Sequence, residues 1–358
     1  MIPKTIIDSS IGRWAAVACG LALATAAATA DPKLPRPDGK SADMSKPVQV
    51  FILMGQSNMF GFGQIEPEDT PGTLTYLTKK EGKFPHLIDD EGNWTVRNDV
   101  YYVQTTAGHR DHWLTSRGRF FGPELQFGHI MGHLTDAPIL IIKACIGNRS
   151  LGWDLLPPGS ERFEFEEKGK TFIYAGYKDS PSRWEKGTKP EPIGWYAGKQ
   201  YDEDTANAKE AIANLDKYFP DNKGHEIAGF LWFQGHKDQN AAHAGRYELN
   251  LVNLIKALRK DFEAPAAKFV VATGCGNPGT SGFGKQIAEA QLAVDGKAGK
   301  YPGFKGNVAS VDTRPFWRGP EGSPNRRAGH HYNHNAETYL DVGNAMGWAM
   351  AGLMELKK

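Results

Sequence analysis

Five short apolar runs, rich in β-branched and aromatic residues, alternate along the chain with segments of helical spacing. The runs are Val48–Met54, Ile139–Cys145, Ile227–Phe233, Phe269–Gly274 and Val308–Asp312. The helical segments are Pro123–Leu134, Thr205–Phe219, Tyr247–Phe262, Gln286–Val294 and Asn335–Leu356. A strand that is apolar throughout is buried on both faces, and helices interleaved with such strands cover a parallel sheet on both sides. The expected fold class is therefore α/β, a central parallel sheet between two helical layers. Length permits one such domain, because α/β folds with insertions commonly exceed 250 residues as a single unit. We expect that domain over residues 47–358.

The composition fits a protein with a core: 358 residues, 40% hydrophobic and 23% charged. Lys and Arg total 42 against 41 Asp and Glu. No basic excess exists to neutralise a run of phosphates, so nucleic acid is not an expected partner. At the N-terminus, Lys4 and Arg13 precede an uncharged, small-residue run from Trp14 to Ala30, and Ala28-Thr29-Ala30 fits a signal-peptidase site. The run is too poor in bulky apolar residues for a membrane span. Residues 1–30 are thus expected to be a signal peptide for secretion, leaving no membrane anchor after cleavage. Residues 31–46, polar and rich in proline, are expected to form a flexible lead-in. Two cysteines remain after cleavage, Cys145 and Cys275, as one disulfide or two buried thiols.

In an open parallel sheet, ligands bind beyond the carboxyl ends of the strands. Two expected loops there are long, about Ser57–Gly122 and Gly147–Tyr201, well beyond usual α/β connections. Residues 151–201 hold ten aromatics, among them Trp153, Phe165, Tyr174 and Trp195. Such a density suits sugar stacking or packing of the loop on the body. The first strand runs directly into Gly55-Gln56-Ser57-Asn58-Met59, which exposes a serine at a strand end. The second ends in Cys145-Ile146-Gly147-Asn148-Arg149-Ser150, where Gly147 can turn a main-chain N–H toward a developing oxyanion. The third ends in Trp232-Phe233-Gln234-Gly235-His236-Lys237-Asp238, and the Gln234 amide is a further candidate donor. Near the C-terminus, Gly329-His330-His331-Tyr332-Asn333-His334 supplies histidines able to take a proton from serine near neutral pH.

These blocks resemble the sialate O-acetylesterase-like (SASA) carbohydrate esterases of the SGNH hydrolase superfamily, over most of residues 48–352. The strongest likeness is FILMGQSNM after a buried strand. The resemblance implies a flavodoxin-like α/β/α sandwich and a secreted serine esterase that takes acetyl groups from a glycan without a cofactor. It implies Ser57 as nucleophile, His331 as base, and the main-chain N–H groups of Ser57 and Gly147 with the Gln234 side chain as oxyanion hole. Gln56, Asn58, Asn148, Arg149 and Trp153 flank these groups as candidates for substrate binding. Two positions depart from the family. The Glu after Gln-Gly is His236, and the Asp three residues before the base is Ala328. The group that orients His331 is then Asp312, Asp238 or a backbone carbonyl serving a Ser-His dyad. Two alternatives stand beside this reading: a zinc site of His330, His331 and His334, and a catalytically silent glycan-binding protein on the same fold.

Overall fold

The computed structural model describes residues 34–357 apart from Ala107, Cys275 and Asn277, so the expected signal peptide lies outside the described residues. Its strands are β1 (Val48–Gly55), β2 (Gly63–Gln64), β3 (Arg97–Gln104), β4 (Arg110–Leu114), β5 (Phe120–Phe121), β6 (Ile139–Lys143), β7 (Phe163–Glu167), β8 (Lys170–Tyr174), β9 (Arg183–Glu185), β10 (His225–Gly235), β11 (Lys268–Gly274) and β12 (Val308–Val311). The helices are α1 (Ser57–Phe60), α2 (Glu124–Leu134), α3 (Lys199–Ala213), α4 (Leu215–Tyr218), α5 (Ala241–Asp261), α6 (Gly282–Ala293) and α7 (Ala336–Leu353). A seven-stranded sheet of order β12-β11-β10-β1-β6-β3-β4 forms the centre. Every neighbouring pair is parallel except β3 with β4. All five apolar runs became its strands.

Side chains alternate across β1 and build two cores. Val48, Val50, Ile52 and Met54 face α3, α4, α5 and α6, whereas Phe51 and Leu53 face α2 and α7. This is the three-layer α/β/α sandwich. Each fully buried aliphatic side chain contributes about 1.5–3 kcal/mol relative to exposure, which makes the central strands a rigid base for the loops at their ends. Among the described residues, no helix is long and apolar enough to cross a membrane.

The two long loops are more structured than their sequence signals. Within the first lie β3 and β4, the edge of the sheet. The start of β3, Arg97-Asn98-Asp99, hides the apolar pattern because Arg97 and Asp99 neutralise each other, with Nε to Oδ1 at 2.8 Å. The second loop holds a separate three-stranded antiparallel sheet, β7-β8-β9. Helix α3 begins six residues before the expected Thr205, and the segment breaks at Asn214. In the lead-in, residues 34–46 run without helix or strand, tied to the body by Asp43 N–H to Asp136 O at 2.7 Å and Asn98 Nδ2 to Gly39 O at 3.2 Å. Cys145 is a buried free thiol, so it is in no disulfide, and burial pushes its pKa up. Cys275 is outside the described residues.

Candidate active site

Ser57 stands at the carboxyl end of β1, the strand between β6 and β10. The turn that places it requires Gly55. Its φ is +148°, and a Cβ there would lie 2.3 Å from the Phe233 carbonyl oxygen. Ser57 opens the one-turn helix α1, and helix starts leave main-chain N–H groups without intrahelical partners. Among the described residues, the N–H groups of Ser57 and Gly147 donate to no protein acceptor. A methyl group built on Gly147 would sit 3.6 Å from the Ser57 Cβ, so the two chain segments meet at the serine. The far end of α1 is fastened from below. Lys143, 1% exposed, donates from Nζ to the Phe60 carbonyl at 2.8 Å and pairs with Glu124, whose other oxygen accepts the Gly122 N–H. Lys143 was not foreseen from the sequence. A buried lysine at a strand end was the available signal.

His331 comes from the segment ahead of α7. Tyr332, Asn333 and His334 all have left-handed φ, at 51°, 55° and 60°. For residues with a Cβ this costs roughly 1–2 kcal/mol each. The Asn333 N–H bonds the Ala328 carbonyl at 2.9 Å and its side chain bonds the Arg318 carbonyl at 2.9 Å, while the Tyr332 ring is buried against Phe233 and Tyr339. Asn335 then caps α7, accepting from Glu337 and Thr338. Asn58, beside the serine, donates from Nδ2 to the His330 carbonyl at 3.2 Å and accepts from the Tyr339 hydroxyl at 2.9 Å. That side chain joins the serine turn to the histidine segment. The His331 ring stacks on Phe62, centroids 3.9 Å apart and planes 3° from parallel. Burial, then the positive charge that His330, His334 and His236 would share with it, push its pKa down to about 4. It is neutral at pH 7 and able to accept a proton. Among the described residues its ring has no hydrogen bond to Ser57 Oγ or to a carboxylate.

The Gln234 amide does not reach toward an oxyanion. Its Nε2 faces Gln56 Oε1 at 3.0 Å, the Arg149 carbonyl at 2.9 Å and Asp238 Oδ2 at 2.6 Å, and its Oε1 accepts from the Tyr247 hydroxyl at 2.8 Å. With only two N–H donors, the amide is fully occupied. It locks the loop that carries Gly147 instead. Gln56 is 2% exposed and also accepts the Lys237 N–H at 3.3 Å, which makes it part of this scaffold rather than a substrate contact.

The hydrogen bonds of both candidate carboxylates go to groups other than His331. Asp238 accepts the Leu151 and Gly152 N–H groups, both at 2.8 Å, and so pins the far end of the same loop. Asp312 pairs with Arg314, at 2.8 Å to Nε and 2.6 Å to Nη2, and with Thr273 at 3.3 Å. Burial raises its pKa, but the Arg314 bonds outweigh this and hold it below the ordinary carboxylate value. Arg149 bonds Gln200 Oε1 at 2.8 Å and lies over the Trp195 ring, not on a carboxylate. Asn148 is exposed, with φ of 58°. Trp153 packs with Leu156, Trp184 and Ala197. His331 and His334 both stack on Phe62, His334 at 5.7 Å from it, and His330 lies tilted against His331 at 4.1 Å. The described residues hold no cluster of three side chains spaced to share a metal ion. Phe62, Tyr247 and Tyr339, apolar-looking residues in sequence, were not foreseen as parts of the site.

A solved carbohydrate acetylesterase from Xanthomonas citri is similar at 12% identity, covering 85% of this chain and 56% of its own, with a TM-score of 0.49. NanS is similar at 15% identity over 88% of this chain and 99% of its own, TM-score 0.47. An Arabidopsis thaliana protein is similar at 19% over 85% and 98%, TM-score 0.47. No curated protein is similar enough to match. The family described as carbohydrate esterase, sialic acid-specific acetylesterase, matches residues 47–167 and 175–349, which includes Ser57, Gly147, Gln234 and His331. The chain belongs to the SASA family of carbohydrate esterases.

Proposed function

We propose that the protein is a secreted serine esterase that removes O-acetyl groups from a carbohydrate through an acetyl-enzyme intermediate. The carrying observation is the meeting of Ser57 and Gly147 at the end of β1, both with undonated main-chain N–H groups, beside a histidine segment tied to the serine turn by Asn58. In this reading the Ser57 hydroxyl attacks the acetyl carbonyl as His331 takes its proton. The two N–H groups bind the oxyanion. His331 returns the proton to the departing sugar oxygen, and water then attacks the acetyl-enzyme with His331 again as base. Gln234, Asp238 and Gln56 hold the loop that presents Gly147. Among the described residues no carboxylate bonds His331, and in this reading the catalytic unit is a dyad whose ring is set by Phe62. Export follows from the signal peptide read at residues 1–30, with residues 31–358 as the mature chain.

A catalytically silent glycan-binding protein is the second reading, favoured by Ala328 and His236 at positions where the family carries acids. One assay separates the two. An activated aryl acetate is expected to be hydrolysed by the parent, and Ser57→Ala and His331→Ala, shown folded by circular dichroism, are expected to lose about three orders of magnitude. A parent no faster than its variants would leave glycan binding as the account.

A further inference from the structure

The inserted sheet β7-β8-β9 leans over the start of α5, and a groove of about 530 Å³ opens between them. Phe165 lines it from the insertion, backed by Tyr174, which is 5% exposed and stacked on Phe163, and Phe283, at the start of α6, closes it from the other side while remaining 42% exposed. Between the rings lie polar edges, with Asn240 and Ser182 among them. The only charged pair on the insertion wall neutralises itself: Arg183 bonds both Glu167 and the Tyr174 hydroxyl. Ring faces, amides and hydroxyls without net charge are the surface a neutral sugar chain recognises, by C–H contact with the rings and hydrogen bonds at the rim.

The family match skips residues 168–174, which include β8 and, of the groove's lining, Tyr174. The groove is also coupled to the site. His243 lines it, and a Cβ on Gly152 would lie 2.6 Å from the His243 ring. Gly152 is held by Asp238, which is 3.4 Å from His243 Nδ1. Gly152 lies five positions after Gly147 at the serine, a span of at most about 18 Å. One short loop thus joins the His243 side of the groove to the serine.

We propose that this groove is a second carbohydrate-binding site, which holds an uncharged stretch of a glycan whose acetylated unit lies at Ser57. It rests on the esterase reading above, and the test keeps the two apart. The protein and its Phe283→Ala and Phe165→Ala variants are titrated calorimetrically with xylohexaose, cellohexaose, mannohexaose and trigalacturonate, none of which carries an acetyl group. In parallel, kcat/KM is measured on an aryl acetate. The expected result is binding of at least one neutral hexasaccharide, a Kd raised about three- to tenfold by each substitution, and aryl acetate kinetics unchanged within about twofold. Binding of no hexasaccharide, binding indifferent to both substitutions, or preference for trigalacturonate would overturn the proposal. Groove-dependent binding by a protein inert toward aryl acetate would uphold the groove and remove the esterase reading.

Discussion

His331 shows how much of a site's chemistry is set by the neighbours of one side chain. Its ring is flattened against Phe62 and surrounded by His330, His334 and His236, so burial and like charge both disfavour the imidazolium. The base therefore stays unprotonated well below the usual histidine range. The acid limb of kcat/KM on a neutral aryl acetate is expected below pH 6.5, toward 4. Removing one of the repelling charges with His330→Asn is expected to move that limb upward, since protonated His331 would then be less disfavoured. A limb that stays in place or moves down would show that another group titrates. The choice of His331 among three nearby histidines came from the family motif, because Phe62 and the left-handed run that aims the ring have no local sequence signature.

At the level of elements, the loop that carries Gly147 is governed by helices remote in sequence. The Tyr247 hydroxyl, on α5, accepts from Trp232 Nε1 at 3.2 Å and from Gln291 Nε2, on α6, at 3.0 Å. Its own proton faces Gln234 Oε1 at 2.8 Å and the Gln234 carbonyl at 3.1 Å, and the shorter contact fixes the amide with its donors toward the loop. Tyr247→Phe deletes that proton without changing the ring. Kinetics on an aryl acetate are expected to show kcat down about tenfold with KM nearly unchanged, and stability lower by about 1–3 kcal/mol. A loss confined to stability would reduce the tyrosine to packing. The sheet strands were legible because buried runs such as Val48–Met54 have no competing pattern. Gln234's role was not, since an amide at a strand end looks the same whether its donors face an oxyanion or a loop, and only partners from α5 and α6 decide.

Across the whole molecule, stability is linked to histidines kept neutral inside the fold. His86 is buried with its Nε2 2.9 Å from Gln126, and burial holds its pKa down at about 4. His129, fully enclosed beside it on α2, has neither ring nitrogen hydrogen-bonded, and its pKa is also pushed well down by burial. Between pH 6.5 and 4 the unfolded chain takes up protons at these positions that the folded chain refuses, so their contribution to stability is lost as pH falls. Buried Asp341, whose pKa burial raises to about 6, pulls the opposite way, so the test compares variants rather than absolute curves. His86→Gln is expected to shrink the drop in urea midpoint between pH 7.5 and 5.0 relative to the parent. An equal or larger drop would contradict the linkage.

The central claim is that Ser57 is the nucleophile, and covalent trapping tests it without any assumption about the sugar. The protein is treated with an alkyl phosphonofluoridate, digested, and the adduct located by mass spectrometry. The account predicts one phosphonyl group per chain on the peptide that contains Gly55-Gln56-Ser57-Asn58, with slower labelling in His331→Ala. No adduct, or an adduct on another residue with Ser57 unmodified, would contradict it.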